Sequence, residues 1–248
     1  MLPEKDSTLG RLVELFDQHL KKKYPPFFGR DPKHPAYRLK EYKVIHDNLW
    51  GTNRFSWIEM AIIDSPLFQR IRYIHQTGLA FLVYPSAHHT RFEHSLGVVT
   101  IASRTFDALF QRYPDYFKKI ADVLKRTDVQ EVFETLRAEL RLACLLHDVG
   151  HSIHSHASEM IYGRLDLLET AAKELGEFAG EKKGAGEVLS FCISQTESIR
   201  NLVERAKSKI KNPHLGQLNL NFDNISLLII GRSSHPILQF MGNIVSGH

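Results

Sequence analysis

The densest chemistry in the chain lies between His147 and Glu159. The run His147-Asp148-Val149-Gly150-His151-Ser152-Ile153-His154-Ser155-His156-Ala157-Ser158-Glu159 puts four histidines and two carboxylates within thirteen residues. Imidazole with carboxylate is a ligand set for a divalent metal of intermediate hardness, such as manganese, iron, cobalt, nickel or zinc. Just upstream, Arg137 to Leu146 sets Leu142, Leu145 and Leu146 at helical spacing, with the charges on the other face. Gly150 stands where such a helix would close, because glycine accepts the left-handed conformation of a C-terminal cap. His147 and Asp148 are therefore expected in the last turn of a buried helix. Adjacent side chains point about 100° apart on a helix, so both reach one ion only beside the helix end. A lone His-Asp pair is more often a surface hydrogen bond, and histidine tracts also bind metals adventitiously. Here the pair ends an apolar helix and each later histidine sits between small residues, which favours the functional reading.

A second group of candidates precedes it. Thr90 and Glu93 have the spacing of a capping box, so a helix should open after the loop Tyr84-Pro85-Ser86-Ala87-His88-His89. His94 falls in its first turns, one turn after Arg91, and Val98, Ile101, Ala102, Phe106 and Leu109 supply the expected buried stripe. Alone, His94 would read as a satisfied core histidine; a metal-type pair elsewhere in the chain changes those odds. Further upstream, Ser65 followed by Pro66 is a strong helix start. The helix it opens carries Leu67, Phe68, Ile71 and Ile74 inward and leaves Gln69, Arg70, Arg72 and Gln76 for polar work.

The elements that must carry these residues are helical. Ser7 begins an amphipathic helix through Leu9, Leu12, Leu15, Phe16 and Leu20, running out in three lysines that favour its C-terminus. Tyr24 to Tyr37 is proline-rich and expected to be irregular, and Tyr42 to Phe55 suggests an extended piece with a turn. Helices are expected over Trp57–Ile63, Tyr113–Leu124, Asp128–Leu146, Ser158–Phe178, Glu187–Cys192 and Ser198–Ile210. Asn212 to Asn221 reads as loop, and Ile225–Ile230 and Ile237–Val245 as short apolar segments. Strand-type alternation is scarce. The expectation is an all-α fold: a single globular helical domain with at most a minor β-hairpin, divided into a helix and proline-rich arm (1–40) and the main domain (41–248).

At 248 residues, with 43% hydrophobic and 24% charged residues, the composition is that of an ordinary globular protein. No apolar run approaches the length of a bilayer span and no signal-peptide core follows the N-terminus. Cys144 and Cys192, both in apolar helical stretches, read as buried thiols of a reducing compartment, so a cytoplasmic protein is expected. The net charge of +4 suits polyanionic ligands in general. Most of the basic clusters lack interleaved aromatic residues, which argues against a nucleic-acid groove.

Three blocks, taken together, resemble the HD-domain metal-dependent phosphohydrolases, in the branch of the deoxynucleoside triphosphate triphosphohydrolases. They are Ile63-Asp64-Ser65-Pro66-Leu67-Phe68-Gln69-Arg70-Ile71-Arg72-Tyr73-Ile74-His75-Gln76, then Thr90-Arg91-Phe92-Glu93-His94-Ser95-Leu96-Gly97, then His147-Asp148-Val149-Gly150-His151 through His156. The likeness is clear over about half of the chain. It implies an HD fold and a divalent metal ion (manganese, iron, cobalt, nickel, zinc or magnesium) held by His94, His147 and Asp148. It further implies that Arg91 meets a substrate phosphate, that Gln76 lines a nucleotide pocket, and that His151 and His156 face the phosphate and leaving group. Glu159 would orient a further histidine. The implied substrate is a phosphorylated small molecule, a nucleotide, and the implied assembly a homo-oligomer without membrane or nucleic-acid partners. This chain departs from the family pattern twice. The fourth ligand, an aspartate, is expected beyond residue 248, and Gly186 stands where the family has a later histidine, a role that His154, His88 or His89 would have to take over.

Overall fold

The computed structural model describes residues 4–28, 42–153, 156–210 and 216–246, apart from the side chains of Pro26, His156, Ala157 and Glu159. The described residues are all-α, with one two-stranded sheet. Helix α1 (Thr8–Lys23) starts at Ser7, whose hydroxyl accepts from the Gly10 N–H, and α2 (Pro25–Phe28) follows at once. The proline-rich stretch therefore begins as a short helix where irregular chain was expected, and its remainder, 29–37, lies outside the described residues. Strands β1 (Tyr42–Asp47) and β2 (Gly51–Ser56) form an antiparallel hairpin pairing Tyr42 with Ser56 and Asp47 with Gly51. The Asp47 carboxylate accepts from the Leu49 and Trp50 N–H groups, both at 2.8 Å, and Gly51 takes the left-handed conformation that closes the turn.

Helix α3 (Trp57–Ile63) opens on a full capping box of Ser56 and Glu59, and α4 (Pro66–Gln69) on the expected Ser65-Pro66 start, continuing as a 3₁₀ turn through Tyr73. Leu67, Phe68, Ile71 and Ile74 are all buried, as their spacing requires. Helix α5 (Arg91–Arg112) begins with the reciprocal Thr90–Glu93 box and packs along α7 (Val129–Leu146), with α6 (Pro114–Val123) between them in sequence. The rings of Phe106, Phe110, Phe117 and Phe133 stack or meet edge-on where these three helices converge. Ile101, expected inside, is 44% exposed. The reason is the width of the α5 stripe: Val99, Ala102, Ser103 and Phe106 face α7, which turns Ile101 outward beside Val98.

The segment expected as one helix over Ser158–Phe178 is two, α8 (His156–Tyr162) and α9 (Asp166–Ala179), broken around Gly163. Helices α10 (Ala185–Gln195), α11 (Glu197–Ser208), α12 (Phe222–Ile229) and α13 (Gln239–Ser246) complete the described chain. One apolar cluster gathers α3–α7 and α11–α13. A second joins Leu9 and Leu12 of α1 to Leu168 and Leu175 of α9, Phe191 and Cys192 of α10 and Ile230. Both cysteines are buried free thiols whose surroundings push them up to about 12, so they are packing residues. Among the described residues no helix is long and apolar enough to cross a membrane.

Two buried polar contacts anchor α7. Arg141 donates to Glu59, to the Ser103 hydroxyl and to the Arg54 carbonyl, tying α7 to α3, α5 and the hairpin at once. Glu139 accepts from the Asn221 N–H and the Asn224 amide, both at 2.7 Å, which seats the start of α12. Burial pushes the Glu139 carboxyl up to about 7 against the pull of those two donors. Its folded value therefore exceeds its unfolded one. The folded state keeps a proton that the unfolded chain has released, and stability falls as pH rises from the ordinary carboxyl range through about 7. Glu139→Gln should flatten that slope relative to the parent by about 3 kcal/mol between pH 4.5 and 7, measured as denaturation midpoints across the range; parallel curves would show that Glu139 is already ionised in the fold.

Candidate metal centre

The centre is built by two helix ends brought together across more than fifty residues. The first turn of α5 supplies Arg91 and His94, and the end of α7 supplies His147 and Asp148. Helix α7 ends at Leu146, as its expected range has it, so His147 and Asp148 fall just past the last turn in which they were expected: His147 is the C-cap in right-handed geometry, and Asp148 lies in the following turn. The left-handed cap expected at Gly150 is not formed, for its φ is not positive. Glycine is needed there for a different reason. A Cβ at residue 150 would run into the Ser190 N–H and the Gly186 carbonyl, and would lie 2.7 Å from the Leu189 Cβ. The missing side chain is what lets α10 close onto the turn, where the Gly150 N–H donates to the Ser190 hydroxyl at 2.9 Å.

Ligand atoms of His94, His147 and Asp148 lie within 4.8 Å of one another. Asp148 Oδ2 is 3.7 Å from His147 Nε2 and 3.9 Å from His94 Nε2. Ligands about 2.1 Å from a shared ion stand roughly 3 to 3.4 Å apart, so these separations are only a few tenths of an ångström wider. Asp148 is 4% exposed, and its Oδ2 is buried without a hydrogen-bond donor. A buried carboxylate oxygen facing two imidazoles and no donor is the state a cation would relieve. His147 Nδ1 lies 2.7 Å from the Cys144 carbonyl, which fixes the ring and leaves Nε2 for the cluster. The donor set and its outer contacts fit a divalent metal ion.

The other carboxylate oxygen is held differently. Arg91, 2% exposed, donates from Nη1 to Asp148 Oδ1 at 2.6 Å, and His151 Nδ1 stands 3.4 Å from the same oxygen. Burial alone would raise the Asp148 carboxyl, but His147, Arg91, His151 and His94 together hold it down at about 2. Burial pushes His94 down to about 4 despite the nearby Asp148, with His147, Arg91 and His89 adding to the repulsion of a proton. At neutral pH the pair is thus an anionic carboxylate beside a neutral imidazole, the protonation states that metal ligation requires.

The sequence-derived candidates are distributed as follows. His94, His147, Asp148, Arg91 and His151 converge. Gln76 donates its backbone N–H to the His89 carbonyl at 3.1 Å, and its side-chain oxygen is buried without a donor. His156 and Glu159 sit on α8, but their side chains, like all of His154, lie outside the described residues. His88 and His89 line a cavity of about 620 Å³ with Asp47, Trp50, Glu93 and His94. At Gly186 a Cβ would lie 2.6 Å from His151 Nε2. The His151 ring therefore lies against the position where the resemblance places another histidine. Sequence reasoning missed Ser190 and Trp50. The Trp50 indole packs where a Cβ on Gly97 would be, 2.6 Å from Nε1, and Arg104 donates to the Trp50 carbonyl at 3.1 Å. Neither residue has a motif around it; only the pairing of distant segments gives it a place.

Comparison with known proteins agrees with this geometry. A family model described as the HD domain matches residues 91–219. The chain belongs to the HD-domain family. Relatives include an uncharacterised protein of Methanocaldococcus jannaschii, 36% identical over 159 residues, covering 60% of this chain and 30% of that one. The deoxynucleoside triphosphate triphosphohydrolase SAMHD1 of Bos taurus is 40% identical over 114 residues, 46% of this chain and 17% of that protein. The same enzyme of Gallus gallus is 37% identical over 173 residues, 66% and 25% of the two chains. The matched part of the chain spans less than a third of the length of each of these relatives. The HD-domain model begins at Arg91, so it takes in every residue of the cluster.

Asp148→Asn should bring manganese uptake by the purified chain below detection in isothermal titration, since amide nitrogen or oxygen replaces the anionic ligand; retained uptake would remove Asp148 from the ligand set. Gly186→Ala should displace the His151 ring while the chain stays folded, seen as a moved His151 imidazole resonance. An unmoved resonance would mean that α10 yields instead.

Proposed function

We propose that this chain carries the site of a metal-dependent phosphohydrolase acting on a nucleotide, hydrolysing deoxynucleoside triphosphates to nucleoside and tripolyphosphate. The observation that carries the reading is the buried Asp148 carboxylate, one oxygen on Arg91 and the other turned without a donor toward His94 and His147. Similarity to the SAMHD1 enzymes supports the nucleotide substrate. The cavity beside His94, about 620 Å³, has the volume of a small-molecule site.

Within this reading His94, His147 and Asp148 are the metal ligands. A divalent ion bound there supplies a water of lowered pKa and neutralises charge on phosphate oxygens. Arg91 keeps Asp148 anionic and adds positive charge beside the phosphate, for which its fork of N–H donors is suited. His151, held between Asp148 and Gly186, delivers a proton to the departing oxygen, with His156 facing the same group and Glu159 orienting a histidine. Gln76 lines the nucleotide pocket. The same reading makes 1–40 an arm on a domain of 41–248, places the protein in the cytoplasm in line with its buried thiols, and assembles it as a homo-oligomer.

One observation favours a second reading. With Gly186 in place of the later histidine, the chain departs from the triphosphohydrolase pattern beside His151, which favours another phosphoester such as a nucleoside monophosphate or cyclic nucleotide. Incubating the chain with each nucleotide class and manganese, magnesium, cobalt or nickel, and assaying tripolyphosphate, orthophosphate and nucleoside monophosphate separately, decides between them. Tripolyphosphate release is the expected result; orthophosphate from a monophosphate, or a monophosphate from a cyclic nucleotide, supports the second reading, and silence from a full-length protein would mark a metal- or nucleotide-binding regulatory domain. Arg91→Lys should lower turnover about 100-fold while reducing metal content far less. Equal activity would take Arg91 out of the phosphate site.

A further inference from the structure

The turn that follows α7 carries the candidate ligands yet is poorly held by its own backbone. Its internal bonds are two turn bonds at the upper end of the ordinary range, from the Val149 N–H to the Leu146 carbonyl at 3.3 Å and from the His151 N–H to the Asp148 carbonyl at 3.2 Å. Besides the Arg91–Asp148 pair, which holds a side chain of the turn, two contacts from outside hold its backbone. One is the Gly150–Ser190 bond described above. The other is Arg70, whose Nη1 donates to the His151 carbonyl at 2.9 Å and whose Nη2 donates to the Val149 carbonyl.

Arg70 is well placed to act as a rigid clamp. It caps the C-terminal end of α4, whose Leu67 and Phe68, with Ile71 just beyond, are buried in the main core. Among the described side chains no carboxylate stands within ion-pair distance of it; its hydrogen bonds go to the two carbonyls, with Tyr24 and Tyr162 near enough to act on its charge. The planar guanidinium presents two parallel N–H donors, which is why one side chain spans carbonyls two residues apart. Burial also pushes the Arg70 guanidinium below its ordinary value, a cost that these two bonds offset. Carbonyl-bound arginines recur elsewhere in a purely architectural setting: Arg232 donates to the Ala179 carbonyl at the end of α9, far along the chain from the cluster. What separates Arg70 is that its two carbonyls flank Gly150 directly after Asp148, and that one of them belongs to His151.

We propose that Arg70 is a positioning residue of the metal centre. By fixing the carbonyls of Val149 and His151 it sets the turn so that Asp148 Oδ2 faces His94 and His147, and so that the His151 ring lies against Gly186. The proposal rests on the reading of His94, His147 and Asp148 as metal ligands.

The test uses the full chain with cobalt(II) as probe, because its visible absorption reports ligand geometry as well as affinity. The parent, Arg70→Lys, Arg70→Gln and the control Arg232→Gln are compared for metal-free melting temperature, cobalt dissociation constant and absorption spectrum. Arg70→Gln should bind cobalt about 10- to 100-fold more weakly with an altered spectrum. Arg70→Lys, able to satisfy one carbonyl well but not to fork across two, should fall between, and it keeps the test open if the glutamine variant does not fold. Arg232→Gln should lower the melting temperature while leaving cobalt affinity and spectrum as in the parent. Unchanged affinity and spectrum in both Arg70 variants would overturn the proposal, as would equal weakening in Arg232→Gln, which would make the effect one of general stability. Failure of the parent itself to take up cobalt would overturn the metal reading, and the role of Arg70 with it, and is told apart by the parent titration alone.

Discussion

The buried pair of Arg91 and Asp148 is the contact on which the rest of the site depends. It joins the first turn of α5 to the turn after α7, and each partner would be costly to leave alone in the interior. Because Arg91 holds Oδ1, the carboxylate has one orientation, and Oδ2 is left facing His94 and His147. The pair thus does two things that a surface salt bridge could not. It fixes the distance between two helix ends, and it keeps the carboxyl anionic in surroundings that would otherwise neutralise it.

The packing around it makes that geometry reproducible. Helices α5 and α7 meet along an apolar interface that ends in the phenylalanine cluster, so the helix ends at the site are set by a long lever rather than by local contacts. Arg141 braces α7 against α3, α5 and the hairpin, and Glu139 braces it against the start of α12. Small residues serve close approach: Gly97 admits the Trp50 indole, Gly150 admits α10, and Gly186 admits the His151 ring. Three glycines in unrelated segments therefore act as one device, clearing space where rings or backbones must meet. Ser190 and Arg70 then hold the turn that these approaches leave exposed to backbone freedom.

The helix starts were legible residue by residue, because capping is local chemistry. Ser7, Ser65 and the Thr90–Glu93 box all accept or donate as their spacing requires. Helix ends were less legible. The glycine at 150 looks like a left-handed cap from sequence, but its place is decided by α10, some forty residues away, and the helix stops at Leu146 without it. Likewise the apolar spacing of α5 includes Ile101, but which edge of a wide stripe meets α7 depends on the crossing of the two helices, and Ile101 falls on the open edge.

By itself the sequence determined the all-α class, the positions of the main helices and the candidates whose side-chain chemistry suits a divalent ion, since periodicity, caps and side-chain chemistry are properties of short stretches. Only the tertiary structure decided that His94 meets His147 and Asp148, that Arg91 lies against Asp148, that Gly186 supports the His151 ring and that Arg70 grips the turn. Each of these joins segments dozens of residues apart, and the free energy that selects one such pairing comes from burying the helix faces between them, which no local pattern encodes.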